Sequence, residues 1–485
     1  MEGLGNRVLA GQRVPVAGGA ELNADVYTPA APGRYPAVVS FGPYSTELHT
    51  AGVPTGSNEI GSPPVFTDRG YCPVVAERRG TGRSSGQPLP FLDPRDVDDH
   101  EAVIAWAAEQ PWCTGEVVLF GTSCYALTQP AVAARRPPAL RAFLATELST
   151  DLFRHVVQFG GVPASFFLGL WMGADFTEGQ EELRVSPERR ALLSRLTNGA
   201  AHPLLEEAVH AHVERLFATF LTHTPARDYA EVYARWLFDE KTRTGSTARE
   251  VARAELAAID VPFVAVQNTG YFNLHQFGAY DLVEHAGTPA GTRGSSSGRR
   301  CTTCRSTAGR ARRSPSSTTC SGAPTTATPS SSVDEDLRLA GAVTVHLSFS
   351  CSEIDSHVLA RLSRVDVAGR PHLLSPGGVR PVTRTADPTR GSAVEIAVDA
   401  DRREPLTPGA PVVLRFSLTP APVLLRAGER LRLELGSRTD LLRESVGHGY
   451  AQFDLPVPPY LSRNTVHFRS ESWLEVTVVP APQES

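Results

Sequence analysis

Apolar positions fall into three rhythms along this chain. Up to residue 146, short continuous apolar runs alternate with stretches of helical spacing. Pro36-Ala37-Val38-Val39-Ser40-Phe41 is one such run and ends in Gly42-Pro43, which predicts a buried strand closing in a turn. Residues 71–76 repeat that form, and so does Val117-Val118-Leu119-Phe120. Between them, residues 96–110 carry Val97, Val103, Ile104, Ala107 and Ala108 at helical spacing, with acids crowded at the start. Acids there suit the positive end of a helix dipole. Strands alternating with helices predict a parallel sheet.

Residues 147–258 change character. Residues 206–221 and 229–238 have helical patterns and no convincing strand lies among them, which predicts a helical insertion. Residues 261–266 return to an apolar strand, followed by Gly270-Tyr271-Phe272-Asn273. Beyond residue 333, short runs at 343–349, 394–398, 412–418, 431–435 and 474–479 sit between Pro/Gly turns. That spacing predicts an antiparallel sandwich. The expected division is a first part of an α/β core (1–146), a helical lid (147–258), a second part of the core (259–332) and a C-terminal β-sandwich (333–485).

Composition narrows the setting. The 485 residues carry a net charge of -5, which gives no reason to expect nucleic acid as a partner. No run is long and apolar enough to predict a membrane span, and the first residues lack the apolar centre of a signal peptide. Seven cysteines in this length do not make a disulfide framework, so a reducing, cytoplasmic setting is expected. Cys301-Thr302-Thr303-Cys304 is a lone C-x-x-C with only Cys320 nearby, too few ligands for zinc. No metal or cofactor is expected.

Residues 286–332 break the pattern. They contain no Leu, Ile, Val, Met, Phe, Tyr or Trp and no acid. A basic, disordered linker is the plain reading. It would stand where the α/β core still needs a final strand and helix. A reading-frame error is the alternative. A single lysine, Lys241, among 47 lysines and arginines indicates a GC-rich gene, and the reading supposes that its serines are TCN codons. Read one base earlier, each such serine yields a codon ending in TC, which encodes only Phe, Leu, Ile or Val. Ser295-Ser296-Ser297 then becomes an apolar strand and Ser316-Ser317 an apolar pair. As written, the segment is expected to be poorly packed, and 261–266 to form a sheet edge or lie beside a gap.

The sharpest chemical motif is Phe120-Gly121-Thr122-Ser123-Cys124-Tyr125-Ala126, placed after a strand and before an Ala-rich helix. A nucleophile elbow needs that context, because a strained turn exposes the serine hydroxyl above the sheet. Tyr125 stands where G-x-S-x-G has its second glycine. The plain reading is a serine that merely caps a helix. If the turn is an elbow, the Cys124 backbone N–H is an oxyanion donor.

Neighbouring motifs extend the case. Phe41-Gly42-Pro43-Tyr44, then Glu77-Arg78-Arg79-Gly80-Thr81-Gly82-Arg83-Ser84-Ser85-Gly86, then Trp106 and Trp112-Cys113-Thr114-Gly115 precede the elbow in order. Together they resemble the cocaine-esterase/X-Pro dipeptidyl-peptidase family of α/β-hydrolases. Asp334 to Gly341 and Arg463-Asn464-Thr465-Val466 resemble its C-terminal jelly roll. The resemblance implies an α/β-hydrolase core with a helical lid and a β-sandwich. It implies a serine hydrolase of small acyl esters or short X-Pro-type peptides. It makes Ser123 the nucleophile, Tyr44 and the Cys124 N–H the oxyanion donors, and Asn273 the residue in the acid's place. Asp281 is the alternative acid, or a surface one, and His275 reads as structural or exposed. Arg79 and its glycines read as a tight structural loop. The family's histidine follows a strand in G-P-x-x-H, inside the anomalous segment. There, in the shifted frame, the codon spanning Cys301 and Thr302 encodes Tyr or His only. The rival reading is a catalytically impaired member of the same family, or a frameshifted gene product.

Overall fold

The computed structural model describes residues 7–44, 46, 59–87, 89, 93–163, 250–267, 275, 277–289, 293–297, 299–300, 318–319, 330–420, 422–436, 462–467 and 472–479. The expected lid at 147–258 lies outside them except at its two ends. The chain forms two compact units, one of 1–153, 168–267 and 282–296, the other of 154–167, 268–281 and 297–485.

The first unit is built on a mixed sheet. It opens with an antiparallel hairpin, β1 (Arg7–Pro15) and β2 (Glu21–Thr28), whose alternation was not read from the sequence. β3 (Tyr35–Gly42), β4 (Cys72–Glu77), β5 (Cys113–Thr122), β6 (Leu140–Thr146), β7 (Phe263–Val266) and β8 (Arg293–Ser297) follow. They lie in the order β1-β2-β4-β3-β5-β6-β7-β8, and every contact from β4 to β8 is parallel. Parallel strands covered on both faces need apolar residues throughout. Ala37 and Val39 of β3 and Val117 and Leu119 of β5 are buried accordingly. Each such Val or Leu contributes about 1.5–3 kcal/mol by leaving water.

One expectation fails here. Residues 261–266 are not the edge of the sheet, because β8 pairs with β7, Ser295 opposite Ala265 and Ser296 opposite Val266. The backbone of the anomalous segment thus takes the place of the missing strand. β7 supplies a parallel template of free carbonyl and amide groups, and backbone pairing does not depend on side-chain type.

The helix α1 (Arg95–Glu109) buries Val97, Val103, Ile104 and Ala107 on one face, as its spacing predicts. Its acids do more than suit a dipole. Asp96 is buried and pairs with Arg78 at 2.6 Å, and Asp99 pairs with Arg79 at 2.6 Å. Arg79 also donates to the Ala17 carbonyl, in line with a structural role.

The second unit holds an antiparallel β domain. Its longer strands are β9 (Leu337–Cys351), β10 (Val358–Val365), β11 (Pro371–Val379), β12 (Val412–Leu418), β13 (Val423–Leu425), β14 (Arg430–Gly436), β15 (Asn464–His467) and β16 (Trp473–Val479), and Thr318–Thr319 and Ser330–Ser332 of the anomalous segment also pair into this sheet. β9 is central and pairs with β12, β13, β15 and β16. Its Val343, Val345, Leu347 and Phe349 point into the core beside Leu414, Phe416 and Leu418. The other face buries His346 and Ser350, which hydrogen-bond Glu475 at 3.2 Å and His467 at 2.9 Å. Residues 394–398 do not form the expected strand. They make only isolated bridges, Ser392 to Glu395 and Ala386 to Val398.

In the same unit, Arg154 reaches Glu395 at 3.2 Å and Asp281 at 3.7 Å, and His155 meets Glu395 at 3.3 Å. Asp281 is therefore a buried ion-pair partner and not a surface acid. His275 is buried as well, and burial, helped by nearby His155, lowers its pKa to about 3.

Candidate active site

Strand β5 ends at Thr122 with extended backbone, φ -119° and ψ 145°. Ser123 then turns to φ 54°, in the left-handed region that a residue with a Cβ rarely enters. Strain of this kind persists only where the surroundings impose it. Here the Ser123 carbonyl accepts from the backbone N–H of Ala126 at 2.7 Å and of Leu127 at 3.1 Å. A short helical turn follows, then the helix α2 (Gln129–Ala134). Strand, strained serine and helix reproduce the context a nucleophile elbow requires.

Tyr125 explains how the turn tolerates the loss of its second glycine. A Cβ placed on Gly42 would meet the Tyr125 ring at 2.6 Å, and one on Gly121 would meet the Tyr125 carbonyl oxygen at 2.6 Å. Gly42 thus makes room for the Tyr125 ring, and Gly121 for the Cβ and backbone of position 125. The Tyr125 phenol is fully buried and donates to the Tyr44 carbonyl at 3.4 Å. Burial, first of all, pushes its pKa well above the ordinary value.

Tyr44 follows the end of β3. Its hydroxyl donates to the Cys124 Sγ at 3.3 Å, and both side chains are buried. Hydrogen bonds from Tyr44 and Ser123 favour the Cys124 thiolate, but burial outweighs them and raises the thiol pKa. Cys124 is therefore a neutral thiol between the phenol and the serine. Tyr44, Ser123 and Cys124 are brought together by two strand ends of one sheet. Asn273 lies outside the described residues, as do Cys301, Cys304 and Cys320.

The Gly80–Gly86 loop holds the Tyr44 segment in place. The Glu77 carboxylate at the end of β4 accepts from the Thr46 N–H at 2.6 Å, the Thr46 hydroxyl at 2.9 Å and the Arg83 N–H at 2.6 Å. A Cβ on Gly82 would lie 2.5 Å from that carboxylate, so only glycine lets the loop close over it. Glu77 is the residue that converts the glycine loop into support for Tyr44.

Two further carboxylates were missed in the sequence. Glu147 sits at the carboxyl end of β6 with φ 52°, its N–H donating to the Val266 carbonyl at 2.9 Å. Its position was the available signal, since open α/β sheets collect functional groups at the carboxyl ends of strands. Glu59 is half-buried as a residue, but its Oε2 is enclosed. Burial, reinforced by Glu147, raises the Glu59 pKa well above the carboxylate range. When ionised, Glu59 in turn opposes ionisation of Cys124. No cluster of His, Cys, Asp and Glu among the described residues could hold a metal ion. No described helix is long and apolar enough to cross a membrane.

His100 is the buried histidine nearest in sequence to the elbow. Its Nδ1 lies 2.9 Å from the Thr128 hydroxyl, and its ring stacks on Phe41 with centroids 5.0 Å apart. Burial lowers its pKa to about 3, which keeps it neutral.

Comparison with known proteins agrees with this architecture. Residues 18–290 match the family model of X-Pro dipeptidyl-peptidase (S15 family), and residues 217–442 match that of the X-Pro dipeptidyl-peptidase C-terminal non-catalytic domain. Cocaine esterase of Rhodococcus sp. (strain MB1 Bresler) is 33% identical over 141 residues, 29% of this chain and 24% of that protein. The match thus spans about a quarter of that relative's length. A CocE/NonD family hydrolase of Staphylococcus aureus superposes with a TM-score of 0.71 at 16% identity, covering 97% of this chain and 94% of that one. An aminopeptidase of a marine sediment Thaumarchaeota archaeon gives 0.68 at 14% identity, over 98% and 97%. Both structural likenesses concern the fold.

Proposed function

Since the chain belongs to the X-Pro dipeptidyl-peptidase (S15) family, we propose that it is a serine hydrolase of small acyl esters or short X-Pro-type peptides, with Ser123 as nucleophile. The observation that carries this reading is the left-handed backbone of Ser123 between β5 and a helix. The Ser123 oxygen attacks the substrate carbonyl carbon, its proton passes to a base, and the carbonyl π electrons move onto oxygen. The Tyr44 hydroxyl, turned from Cys124, and the Cys124 N–H donate to that oxyanion. Collapse expels the alcohol or amine, which takes the proton. Water then attacks the acyl-enzyme by the same route and frees Ser123.

The acid and the base are the open positions. Asn273 stands where the resemblance places the acid, and an amide there costs roughly ten-thousand-fold in turnover in a serine triad. The rival reading, a catalytically impaired member of the same family, draws its support from Asn273 and from the composition of 286–332. A fluorophosphonate probe separates the two. Under the hydrolase reading it labels the protein, and Ser123→Ala abolishes labelling. Equal labelling of both proteins removes Ser123 from the mechanism. Labelling of neither favours the impaired enzyme.

A further inference from the structure

Two neighbouring strands of the first unit end in the same way. β5 and β6 run parallel, and their last pair is Thr122 opposite Thr146. The next residue after β5 is Ser123, and the next after β6 is Glu147. Adjacent strands lie about 5 Å apart, so the two residues leave the sheet side by side at its carboxyl edge. Both enter the left-handed region there, Ser123 at φ 54° and Glu147 at φ 52°. A residue with a Cβ holds that conformation only where its surroundings impose it, and such residues gather at functional sites. The Glu147 N–H donates to the carbonyl of Val266, the last residue of β7, at 2.9 Å, and Thr146 pairs with the same residue. Glu147 is therefore fixed between the ends of β5 and β7, with only 6% of its surface exposed.

Packing does not account for a carboxylate at this place. Its burial costs free energy that an apolar side chain there would not. A second carboxyl group, that of Glu59, adds to the cost by repulsion. Burial, and then the charge of Glu147, raise the Glu59 pKa well above the carboxylate range. Glu59 is thus the neutral member of the pair and Glu147 the charged one. The residues that the sequence offered as the acid are otherwise disposed. Asn273 carries an amide, and Asp281 is a buried partner of Arg154 at 3.7 Å in the second unit.

We propose that Glu147 serves as the acid of the hydrolase, one strand nearer to Ser123 than the place the resemblance assigns after β7. The assignment rests on the hydrolase reading. When Ser123 attacks, its oxygen bonds the electrophilic atom and its proton passes to the base, which becomes positive. The Glu147 carboxylate faces that charge and neither takes the proton nor touches the substrate, so it is a positioning residue. An opposite charge within about 4–6 Å favours the protonated form of a base and raises its pKa. An amide after β7 then leaves the chain competent, because the charge is supplied at the end of β6.

Labelling of the full chain by a neutral fluorophosphonate tests the assignment. In that reaction the Ser123 oxygen bonds phosphorus, fluoride leaves, and the serine proton goes to the base. The probe carries no ammonium group, so a Glu147 that merely held a cationic substrate would not alter its rate. Glu147→Gln keeps the size of the side chain and removes its charge. Expected is a labelling rate constant lower by about a hundredfold or more at unchanged melting temperature, since loss of this charge costs a serine triad up to roughly ten-thousand-fold. The pH midpoint of labelling is expected to fall by about one unit, because the base loses its charge partner. Glu147→Asp keeps the charge and is expected to retain the parent's midpoint and most of its rate. Should Glu147→Gln melt early, Glu147→Met carries the same expectations and removes the burial cost as well. A charge-free variant that labels as fast as the parent, or slowly with its midpoint unmoved, overturns the assignment and leaves Ser123 standing. A parent chain without labelling defeats the hydrolase reading itself, and the assignment falls with it.

Discussion

The two flanks of the hydrolase sheet obey different rules. On the β3–β5 flank, side chains and backbone agree: Ala37, Val39, Val117 and Leu119 are buried, and the acids nearby have partners. On the β7–β8 flank the backbone ladder is intact, yet β8 offers Arg, Gly and three serines. Pairing of strands requires only amides and carbonyls, whereas stability requires apolar area withdrawn from water. A correct register is therefore no sign that a strand contributes to the core.

Three measurements probe this contrast, beginning with the largest effect. Asp96→Ala leaves the buried Arg78 guanidinium without its 2.6 Å partner. Loss of one member of a buried pair costs about 3–5 kcal/mol, read by urea unfolding. A cost below about 1 kcal/mol would show that the first flank is as loosely held as the second. Next, Leu119→Ala is expected to cost about 2–5 kcal/mol by opening a cavity in β5. Ser296→Ala on β8 is expected to change stability by no more than about 0.5 kcal/mol. Equal costs for the two would break the distinction between the flanks.

The smallest effect concerns pH. His100, with its pKa lowered to about 3 by burial, is neutral in the folded protein, whereas an unfolded histidine titrates near 6.5. Below pH 6.5 the unfolded chain binds the extra proton, so the contribution of His100 to stability is complete above that pH. It falls as the pH drops toward 3, by about 1.4 kcal/mol per pH unit at most. His100→Phe should flatten the stability profile between pH 4 and 6.5. An unchanged slope would mean that other groups govern acid sensitivity on this flank.

Much of this was legible in the sequence, and the misses have physical causes. The strands around Val39 and Val117 and the helix at 95–109 announced themselves because burial on both faces, or on one helix face, imposes a plain pattern. Ser123 was legible because an elbow needs a strand before it and a helix after it. The hairpin β1–β2 was missed, since Gly11 and Gln12 sit at an irregularity that interrupts the alternation. Residues 394–398 looked like a strand, but Glu395 is drawn to Arg154 and His155, and the segment forms bridges instead of a ladder. Glu77, Glu59 and Glu147 were invisible as a group because folding, not spacing, brings loops after β3, β4 and β6 together. The strand β8 was judged from its side chains, and its backbone pairing follows from its neighbour.

Gly42, Gly121 and Tyr125 behave as one inherited unit. Mutational paths that enlarge Gly42 are closed while the tyrosine is present, because the new methyl group and the ring would occupy the same space, and those that enlarge Gly121 press a methyl group onto the Cβ and backbone of Tyr125. Paths that shrink the tyrosine are costly while both glycines remain, because they leave a void beneath the elbow. Variation at these three sites is therefore epistatic. Saturation of any one of them alone should recover little besides the parent residue, and a library that couples all three is where new shapes of this turn can be found.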